Sequence, residues 1–297
     1  MNLTTLYETY QRLLFTIAYG MLGSVTDAED VVQDLFVSLQ TVNLSEIKNM
    51  KAFLSKLVTN RSINLLKSSQ KKKEVYVGPW LPEPLVNPLD NQPLYLLERE
   101  ETISYAFMVM LEKLSPIERA VFILREVFLY EYSEIARVLD KSEANCRKIL
   151  SRVKLKVESV APTLPATSLE PENQLITQFV SAFTKGNVDG VVDLLVDDVI
   201  FYSDGGGKVR TAYKPIYSKK RVLALIRGIT GKGYSQIQSH LVWVNGQMGA
   251  VITKNQNIKA VFCFGMDDKT GLIQSIYSIV NPEKLQRIVT DSVPYLS

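Results

Sequence analysis

Apolar residues recur at helical spacing between Leu6 and Lys67, a stretch without proline in which Gly20 and Gly23 are the only glycines. Such spacing is typical of amphipathic helices, so the pattern predicts an all-helical block. Thr26 and Glu29 have the spacing of a capping box and predict the start of one of these helices. The apolar stripe of that helix consists of Val31, Val32, Leu35, Phe36 and Leu39.

The helical pattern stops in a region rich in lysine and proline. Between Ser68 and Pro93 the sequence contains three consecutive lysines, Lys71 to Lys73, followed by five prolines. Because proline lacks a backbone donor and breaks helices, this region is predicted to be a linker and neither a regular helix nor a sheet. Helical periodicity returns from about Leu94 to Val157, and Ser115 followed by Pro116 predicts a capped helix start there.

The C-terminal part of the chain mixes helical and alternating segments. Three prolines between Ala161 and Pro171 indicate a second linker. After it, helices are predicted at Glu172 to Lys185 and at Val188 to Leu195. Asn245-Gly246 predicts a two-residue hairpin turn, and the region as a whole is predicted to be an α+β domain. The strands predicted from alternation are Val199 to Ser203, Val209 to Tyr213, Ile237 to Val244, Gly249 to Lys254, Ile258 to Phe264 and Ile273 to Val280.

These changes divide the 297 residues into three domains and two linkers. The division is a helical domain at 1–70, a linker at 71–94, a second helical domain at 95–160, a linker at 161–171 and the α+β domain at 172–297. Hydrophobic residues make up 46% and charged residues 22% of the chain, which excludes a disordered protein.

Bulk charge and cysteine content exclude several classes of protein. A net charge of +3 is too small to indicate nucleic-acid binding by itself, so the position of the charge has to decide. Cys146 and Cys263 lie far apart without metal-ligand spacing, which predicts neither a disulfide framework nor a metal site. Glu8 and Arg12 interrupt the N-terminus, and no apolar run approaches membrane-spanning length. A cytoplasmic protein without a membrane partner is expected.

The segment from Tyr132 to Leu150 has the pattern of two short helices joined by a tight turn, which is helix-turn-helix form. Its second helix is strongly basic, with five cations and one acid between Ser142 and Val157. Such a helix suits the major groove, while an exposed basic helix without a partner is the alternative. The candidate DNA contacts are Ser142, Glu143, Asn145, Arg147, Lys148, Arg152 and Lys154.

The first helical block carries two further charged faces. The helix after Thr26 presents an acidic, amide-bearing face formed by Asp27, Asp30, Gln33 and Asp34. That face is either merely solvated or meets a basic protein surface. The second face is basic and consists of Lys48, Lys51, Lys56, Asn60, Arg61 and Lys67.

Residues 1 to about 160 resemble an extracytoplasmic-function sigma factor. The run Thr26-Asp27-Ala28-Glu29-Asp30-Val31-Val32-Gln33-Asp34-Leu35-Phe36 resembles the segment that docks on the β′ clamp of core RNA polymerase. Ala52-Phe53-Leu54 through Asn60-Arg61-Ser62-Ile63-Asn64 resembles the element that melts and binds the −10 region of promoter DNA. Leu114-Ser115-Pro116 through Lys156 resembles the −35-binding domain, which in the family also meets the β flap. The resemblance implies a sigma-2 domain at 1–70 and a sigma-4 domain at 95–160.

Phe53 and Thr59 stand where the family often has Trp and a further Arg, so the promoter sequence does not follow from the resemblance.

The remaining residues resemble the SigJ-like subgroup, whose members carry a C-terminal SnoaL-like (NTF2-like) extension with a cone-shaped α+β fold. Three motifs carry this resemblance. They are Trp80-Leu81-Pro82-Glu83-Pro84 in the linker, Asp204-Gly205-Gly206-Gly207-Lys208, and Asn281-Pro282-Glu283-Lys284-Leu285. The resemblance implies that the extension contacts the rest of the chain and replaces a separate anti-sigma protein. Trp80 on a stiff, proline-flanked segment is also too apolar to remain uncovered.

Catalysis in the C-terminal domain would need a positioned acid or base. The candidates are Asp197, Asp198, Tyr202, Asp204 and His240, and no constellation among them compels an enzyme or a cofactor. The three glycines after Asp204 are either an anion cradle or a flexible turn between strands. A small ligand of this domain is left open.

The sequence therefore predicts a sigma factor that binds core RNA polymerase and promoter DNA and is regulated in cis. Two alternatives remain, namely a one-component DNA-binding regulator whose C-terminal domain senses a ligand, and an enzyme fused to a DNA-binding module.

Overall fold

A computed structural model describes residues 2–87, 103–157, 170–230 and 237–288. The described residues form two compact units. The first unit comprises residues 2–74, 103 and 107–157, and the second comprises residues 75–87, 104–106, 170–230 and 237–288.

The first unit is helical, as its periodicity predicts. Its helices are α1 (Leu3–Leu22), α2 (Val25–Leu39), α3 (Met50–Glu74), α5 (Pro116–Phe122), α6 (Tyr132–Leu139), α7 (Glu143–Lys156) and the greater part of α4 (Tyr105–Leu111). A π-helical stretch, Ile123–Val127, follows α5 directly. The core contains fully buried side chains from α1 to α3, such as Ile17, Leu35 and Leu54.

Of the helix boundaries predicted from the sequence, one is confirmed and two are corrected by the structure. The capping box at Ser115 is confirmed, because its side chain accepts from the Glu118 amide and the Glu118 carboxylate accepts from the Ser115 amide. The box predicted at Thr26 is wrong: the N-cap of α2 is Ser24, two residues before Thr26, and its extended backbone lets its hydroxyl accept from the Asp27 amide. The helix α3 also continues through Lys71–Lys73, because the first helix-breaking residue lies only at Gly78.

The second unit contains a seven-stranded sheet in the order β1-β4-β5-β6-β7-β2-β3. Its strands are β1 (Val86–Asn87), β2 (Leu195–Asp204), β3 (Ile216–Tyr217), β4 (Ile237–Val244), β5 (Gln247–Lys254), β6 (Asn257–Met266) and β7 (Ile273–Ile279). The helices are α8 (Glu170–Thr184), α9 (Asp189–Val192), α10 (Lys219–Thr230) and α11 (Pro282–Leu285). All strand pairs are antiparallel except β2 with β7.

The sheet has one face packed against helices. Phe179 and Phe183 of α8 contact Phe264 and Phe262 of β6 edge to face, in a core that also contains buried residues of α10. On the opposite face of the sheet, Tyr277 stacks on Tyr202. The α+β class predicted for this part of the chain is confirmed.

Several predicted elements of the C-terminal domain differ from the structure. No strand forms at Val209 to Tyr213, because the glycines before it turn the chain with positive φ, and the short β3 follows instead. The helix predicted at Val188 to Leu195 is only α9, since Leu195 already starts β2. The predicted linker also contains a strand, β1, which pairs with Trp243 and Val244 of β4. The hairpin at Asn245-Gly246 is confirmed, with positive φ at both residues.

No helix among the described residues combines the length and the hydropathy that a bilayer crossing requires.

Candidate functional site

The acidic face of α2 is fully available in the first unit. Asp27, Asp30, Gln33 and Asp34 are all exposed, while Ala28, Val31, Val32 and Leu35 of the same helix are buried. The spacing that predicted an apolar stripe and an opposite acidic face is therefore realised. A surface of three carboxylates and one amide can bind a cationic protein surface and repels phosphate.

Some residues of the basic face of α3 are exposed, and others have hydrogen-bond or ion-pair partners within the first unit. Lys48, just before α3, and Lys51 and Lys67 on it are exposed. Arg61 donates to the Ser38 hydroxyl at 2.7 Å, which ties α3 to α2. Arg61 therefore has a structural partner inside the first unit.

The helix α6 and the turn after it contact the same face of α3. Lys56 forms an ion pair with Asp140 at 2.8 Å, and the Asn60 amide donates to the Val138 carbonyl at 3.4 Å. Closer to the start of α3, the buried Ser55 hydroxyl lies 2.7 Å from the Tyr130 hydroxyl. The Lys51 ammonium lies 5.4 Å from the centre of the Tyr130 ring. Three of the six predicted −10 contacts, those of Lys51, Lys56 and Asn60, therefore have partners from the 130–140 region.

The helices α6 and α7 form the predicted helix-turn-helix. Asp140, at φ 51°, ends α6 in the left-handed region, and Ser142 caps α7 by accepting from the Asn145 amide. Cys146, Leu150 and Val153 are buried, so α7 turns its opposite face outward. The predicted DNA contacts Asn145, Arg147, Lys148, Arg152 and Lys154 are all exposed on that outer side.

Several charges of α7 are held in position by neighbours. Arg147 pairs with Glu143 at 2.8 Å and lies over the Tyr132 ring, 4.7 Å from its centre. Lys154 pairs with Glu126 at 3.0 Å. Glu118 is partly desolvated, which acts to raise its pKa, but its hydrogen bonds to Lys156 and Ser115 outweigh this and hold the pKa below the usual range. The later cations of α7 are thus oriented by acids on neighbouring elements, whereas Lys148 and Arg152 extend outward.

The most densely connected polar cluster lies in the second unit, where the linker meets the C-terminal domain. Asp204 and Lys284 form an ion pair at 2.7 Å, and the side chains are 0% and 7% exposed. The Asp204 carboxylate also accepts from the Leu81 amide at 2.9 Å, and the Lys284 ammonium donates to the Leu81 carbonyl. That ammonium lies 4.1 Å from the ring centre of Trp80. We call these contacts, together with those of Tyr76 below, the linker clamp.

Tyr76 completes the linker clamp and was missed by the sequence reasoning. Its hydroxyl donates to Asp204 at 2.6 Å and accepts from the Asn281 amide at 2.9 Å. Burial first, and then the hydrogen bond to Asp204, raise the pKa of the Tyr76 phenol well above its usual value. The position of Tyr76 beside Trp80 in a linker was the only signal, and no local pattern marks such a tyrosine.

The triple-glycine loop is shaped by its contacts with the clamp. Gly206 has φ 60°, and a Cβ there would lie against the Asn281 amide. A Cβ on Gly205 would lie 2.5 Å from the Val209 carbonyl. The Gly206 amide donates to Asp204 at 3.0 Å, so the loop closes on its own aspartate. Of the two alternatives for this loop, the observed one is a turn that fits against the clamp.

Further residues of the three motifs extend these contacts. The Pro82 carbonyl accepts from the Tyr105 hydroxyl at 2.7 Å, and Lys208 pairs with Glu283. Leu81, Pro82, Pro84 and Leu285 are buried, and Pro282 begins α11 after its N-cap Asn281. Leu85 and Asn245 exchange hydrogen bonds of 3.1 and 2.9 Å just before β1. The structure therefore brings the three motifs together in one place.

The candidate catalytic residues are not brought together. Asp204 is taken up by the linker clamp, and Asp197, which is 98% exposed, pairs with Lys219. His240 contacts the Thr253 hydroxyl at 3.2 Å across β4 and β5, and burial raises the pKa of Tyr202. A cavity of about 490 Å³ in this unit is lined by Lys185, Gly186, Asn187, Val188, Asp189, Arg227 and Thr230, and it contains none of these candidates. Among the described residues, no group of three or more His, Cys, Asp or Glu side chains could hold a metal ion.

Comparison with known proteins covers almost the whole chain. Residues 6–72 match the Sigma-70 region 2 family, and residues 104–157 match Sigma-70 region 4. The ECF RNA polymerase sigma factor SigJ of Mycobacterium tuberculosis (strain ATCC 25618 / H37Rv) is 31% identical over 288 residues, which cover 94% of this chain and 91% of SigJ. The probable ECF RNA polymerase sigma factor SigI of Mycobacterium tuberculosis (strain CDC 1551 / Oshkosh) is 26% identical over 197 residues, covering 64% of this chain and 65% of SigI. The crystal structure of Mycobacterium tuberculosis SigJ matches with a TM-score of 0.75 and 29% identity over 98% of this chain and 99% of that one.

Proposed function

This chain belongs to the extracytoplasmic-function RNA polymerase sigma factors, and from that premise we propose how its parts divide the work of such a factor. A sigma factor binds core RNA polymerase and directs promoter-specific initiation of transcription. The presence of both region 2 and region 4 favours this function over a one-component regulator, which would need only the helix-turn-helix. Because core polymerase works in the cytoplasm, we propose that compartment for the chain.

The contact with polymerase is assigned to α2 and to region 4. Asp27, Asp30, Gln33 and Asp34 form an exposed acidic face on a helix whose other side is buried, and this supports docking on a basic surface of the β′ clamp. The second proposed contact, between region 4 and the β flap, rests on the family resemblance alone.

Promoter recognition is assigned to α3 and α7. Lys148, Arg152 and Asn145 extend outward from α7, which supports a role in the major groove of the −35 element. The basic face of α3, from Lys48 to Lys67, is proposed to contact the −10 element. Because Lys56 and Asn60 are engaged by Asp140 and Val138, the −10 contacts of the free chain are partly covered. Binding of the −10 element is thus proposed to require α6 to move off α3.

Regulation in cis is assigned to the linker clamp. The observation that carries this proposal is the buried ion pair of Asp204 and Lys284, which holds both the amide and the carbonyl of Leu81. A buried charge pair with its hydrogen bonds satisfied is stable only while every partner stays in place. The clamp is therefore proposed to hold the linker in the free factor and to release it when polymerase binds. Its use of Asp204 also supports a regulatory, non-catalytic C-terminal domain.

The experiment is transcription in vitro with purified bacterial core polymerase, on genomic DNA of the source organism, with transcript starts mapped by sequencing. Promoter-specific transcripts are expected with the full chain, and Lys284→Met is expected to change their yield at the same start sites. Transcripts that do not depend on the chain would contradict the assignment of promoter selection. An unchanged yield with Lys284→Met would contradict the proposed clamp alone.

A second measurement follows the linker directly. Trp80 and Trp243 are the only tryptophans, so Trp243→Phe leaves Trp80 as the single reporter. With 5-hydroxytryptophan at this position, emission can be excited apart from the tryptophans of polymerase. Release of Trp80 from the Lys284 ammonium is expected to change that emission when core polymerase is added. An emission that core polymerase leaves unchanged would contradict release.

A further inference from the structure

One stretch of the C-terminal domain concentrates the positive charge of that domain. Between residues 172 and 297 there are 14 Lys or Arg and 10 Asp or Glu, yet the segment 208–221 contains six of these cations and none of the acids. Its cations are Lys208, Arg210, Lys214, Lys219, Lys220 and Arg221. We call these residues, together with Tyr213 and Tyr217, the basic surface. The rest of the domain carries more acids than cations, so this charge is a local feature.

The basic surface faces solvent on the edge of the sheet that β3 forms. Lys208 pairs with Glu283, and Lys219 pairs with Asp197 at 3.0 Å. The other four cations are exposed, and within the described part of the chain no carboxylate lies in ion-pair contact with them. Four positive charges on one exposed segment thus remain available to an external anion.

The local structure does not explain this charge. Lys219, Lys220 and Arg221 occupy the first turn of α10, which contains no acid. Cations are disfavoured at this end of a helix, because the helix dipole is positive there. The three cations therefore lower the stability of α10. Binding of an external anion would explain their presence in this turn.

The two tyrosines indicate which class of external anion the exposed cations bind. Tyr213 and Tyr217 are 59% and 55% exposed, between the cations in sequence. Exposed aromatic rings beside lysine and arginine are the combination with which proteins bind DNA strands, since phosphates pair with the cations and unpaired bases stack on the rings. A lipid surface fits less well, because the apolar side of α10 is already used: Val222 and Ile226 are 0% and 1% exposed within the core.

We propose that the basic surface binds promoter DNA, adding phosphate contacts and base stacking from the C-terminal domain to those of α3 and α7. The inference rests on the proposed function only for the identity of the DNA. It gives the C-terminal domain a direct share in promoter binding, in addition to its hold on the linker.

The test compares three forms of the full chain by fluorescence anisotropy with labelled duplex and single-stranded DNA over a range of salt. The first variant combines Arg210→Gln, Lys214→Gln, Lys220→Gln and Arg221→Gln. A matched control removes the same charge from four other exposed cations of the domain with Lys185→Gln, Arg227→Gln, Lys259→Gln and Lys269→Gln. The basic-surface variant is expected to bind about tenfold more weakly, with the salt slope reduced by roughly 2 to 4, and the control is expected to retain wild-type binding. Far-UV circular dichroism and thermal unfolding confirm that both variants fold.

A second variant tests the tyrosines. Tyr213→Ala with Tyr217→Ala is expected to weaken binding to single-stranded DNA more than binding to duplex, because stacking needs unpaired bases. An equal loss on both DNAs would overturn the role of the rings.

Other outcomes overturn the proposal as a whole. Equal losses of DNA binding in the basic-surface variant and the matched control would show that net charge alone explains the weaker binding. A basic-surface variant that keeps DNA binding but loses binding to anionic vesicles or to core polymerase would assign the surface to that partner. Lys148→Gln with Arg152→Gln on α7 separates the two proposals. If only the α7 variant loses DNA binding, DNA binding by the basic surface is contradicted and the proposed function is retained. If neither the α7 variant nor the basic-surface variant loses DNA binding, both proposals are contradicted.

Discussion

The Lys284 ammonium lies 2.7 Å from the Asp204 carboxylate, and both side chains are almost completely removed from solvent. The same two groups hold the backbone of Leu81 from opposite sides, one accepting from its amide and the other donating to its carbonyl. A linker residue is thus bound through its main chain, and the side chains that bind it come from two separate motifs.

Replacing Lys284 by methionine is expected to loosen the linker strongly. The substitution keeps most of the apolar volume but leaves the Asp204 charge buried without its cation, which typically costs about 3 to 5 kcal/mol. Urea unfolding of the Trp243→Phe chain, followed by Trp80 fluorescence, measures this loss. The double variant Lys284→Met with Asp204→Asn is expected to recover part of it, because no unpaired charge remains.

Lys208→Met is the matched control for that experiment. It removes the same charge from a pair with Glu283 that is exposed on both sides, so a loss below about 1 kcal/mol is expected. Equal losses for Lys208→Met and Lys284→Met would contradict the special role of the buried pair.

Tyr76→Phe is expected to weaken the clamp by a smaller amount. It removes the hydrogen bonds to Asp204 and from Asn281 while keeping the ring, and each such bond is worth roughly 1 kcal/mol. The same Trp80 unfolding experiment measures the loss. Tyr213→Phe, at an exposed hydroxyl, is expected to change nothing in it.

The contribution of the Tyr76 hydroxyl is also expected to depend on pH. Burial and the Asp204 hydrogen bond raise the pKa of Tyr76, so the folded chain holds the phenol proton more tightly than the unfolded chain does. The contribution is therefore complete below the ordinary tyrosine pKa of about 10 and decreases as the pH rises above it. The stability difference between wild type and Tyr76→Phe, measured from pH 7 to pH 11, should stay constant and then shrink. A difference that grows above pH 10 would contradict this assignment.

Asp140→Asn is expected to uncover part of the −10 surface. It removes the ion pair with Lys56, and asparagine tolerates the left-handed backbone at this position. Because the pair is largely exposed, the gain in free energy is below about 1 kcal/mol, and binding of a single-stranded −10 oligonucleotide should tighten by up to about fivefold. Glu131→Gln, which removes the exposed partner of Arg125, serves as the control. Weaker or unchanged binding by Asp140→Asn would contradict the proposal that the ion pair with Asp140 covers part of the −10 contacts on α3.

Features that depend on local sequence could be predicted. The outer face of α7 followed from helical periodicity and the position of its cations, and the acidic face of α2 followed in the same way. The capping box at Ser115 and the hairpin at Asn245-Gly246 are encoded within a few residues, and both are confirmed. The hydrogen bonds that decide such features join neighbours along the chain.

Features that depend on distant residues could not be predicted in the same way. The three motifs pointed to contacts with the linker, but nothing local pairs Asp204 with Lys284 or brings Tyr76 to both. The strand β1 was missed because Val86-Asn87 is extended only by virtue of its partner β4. The helix α10 was missed because its first turn carries cations where a helix start usually carries acids.

Reversing the charge of Asp30 and Asp34 is expected to abolish binding to core polymerase. Both side chains are exposed on α2, so Asp30→Lys with Asp34→Lys should leave the fold intact while the face becomes repulsive to a basic clamp surface. Core binding measured by biolayer interferometry should fall by more than tenfold, and binding to −35 duplex DNA should remain or strengthen slightly, because the net charge rises.

The control for this reversal is Asp189→Lys with Asp193→Lys, two exposed acids with the same spacing in the C-terminal domain. This pair changes the net charge by the same amount, so a purely electrostatic effect on core binding would appear in both variants. A loss confined to the α2 variant assigns core binding to that face. Retained core binding with lost DNA binding would instead place α2 among the DNA contacts, which its acidic surface argues against, because carboxylates repel phosphate.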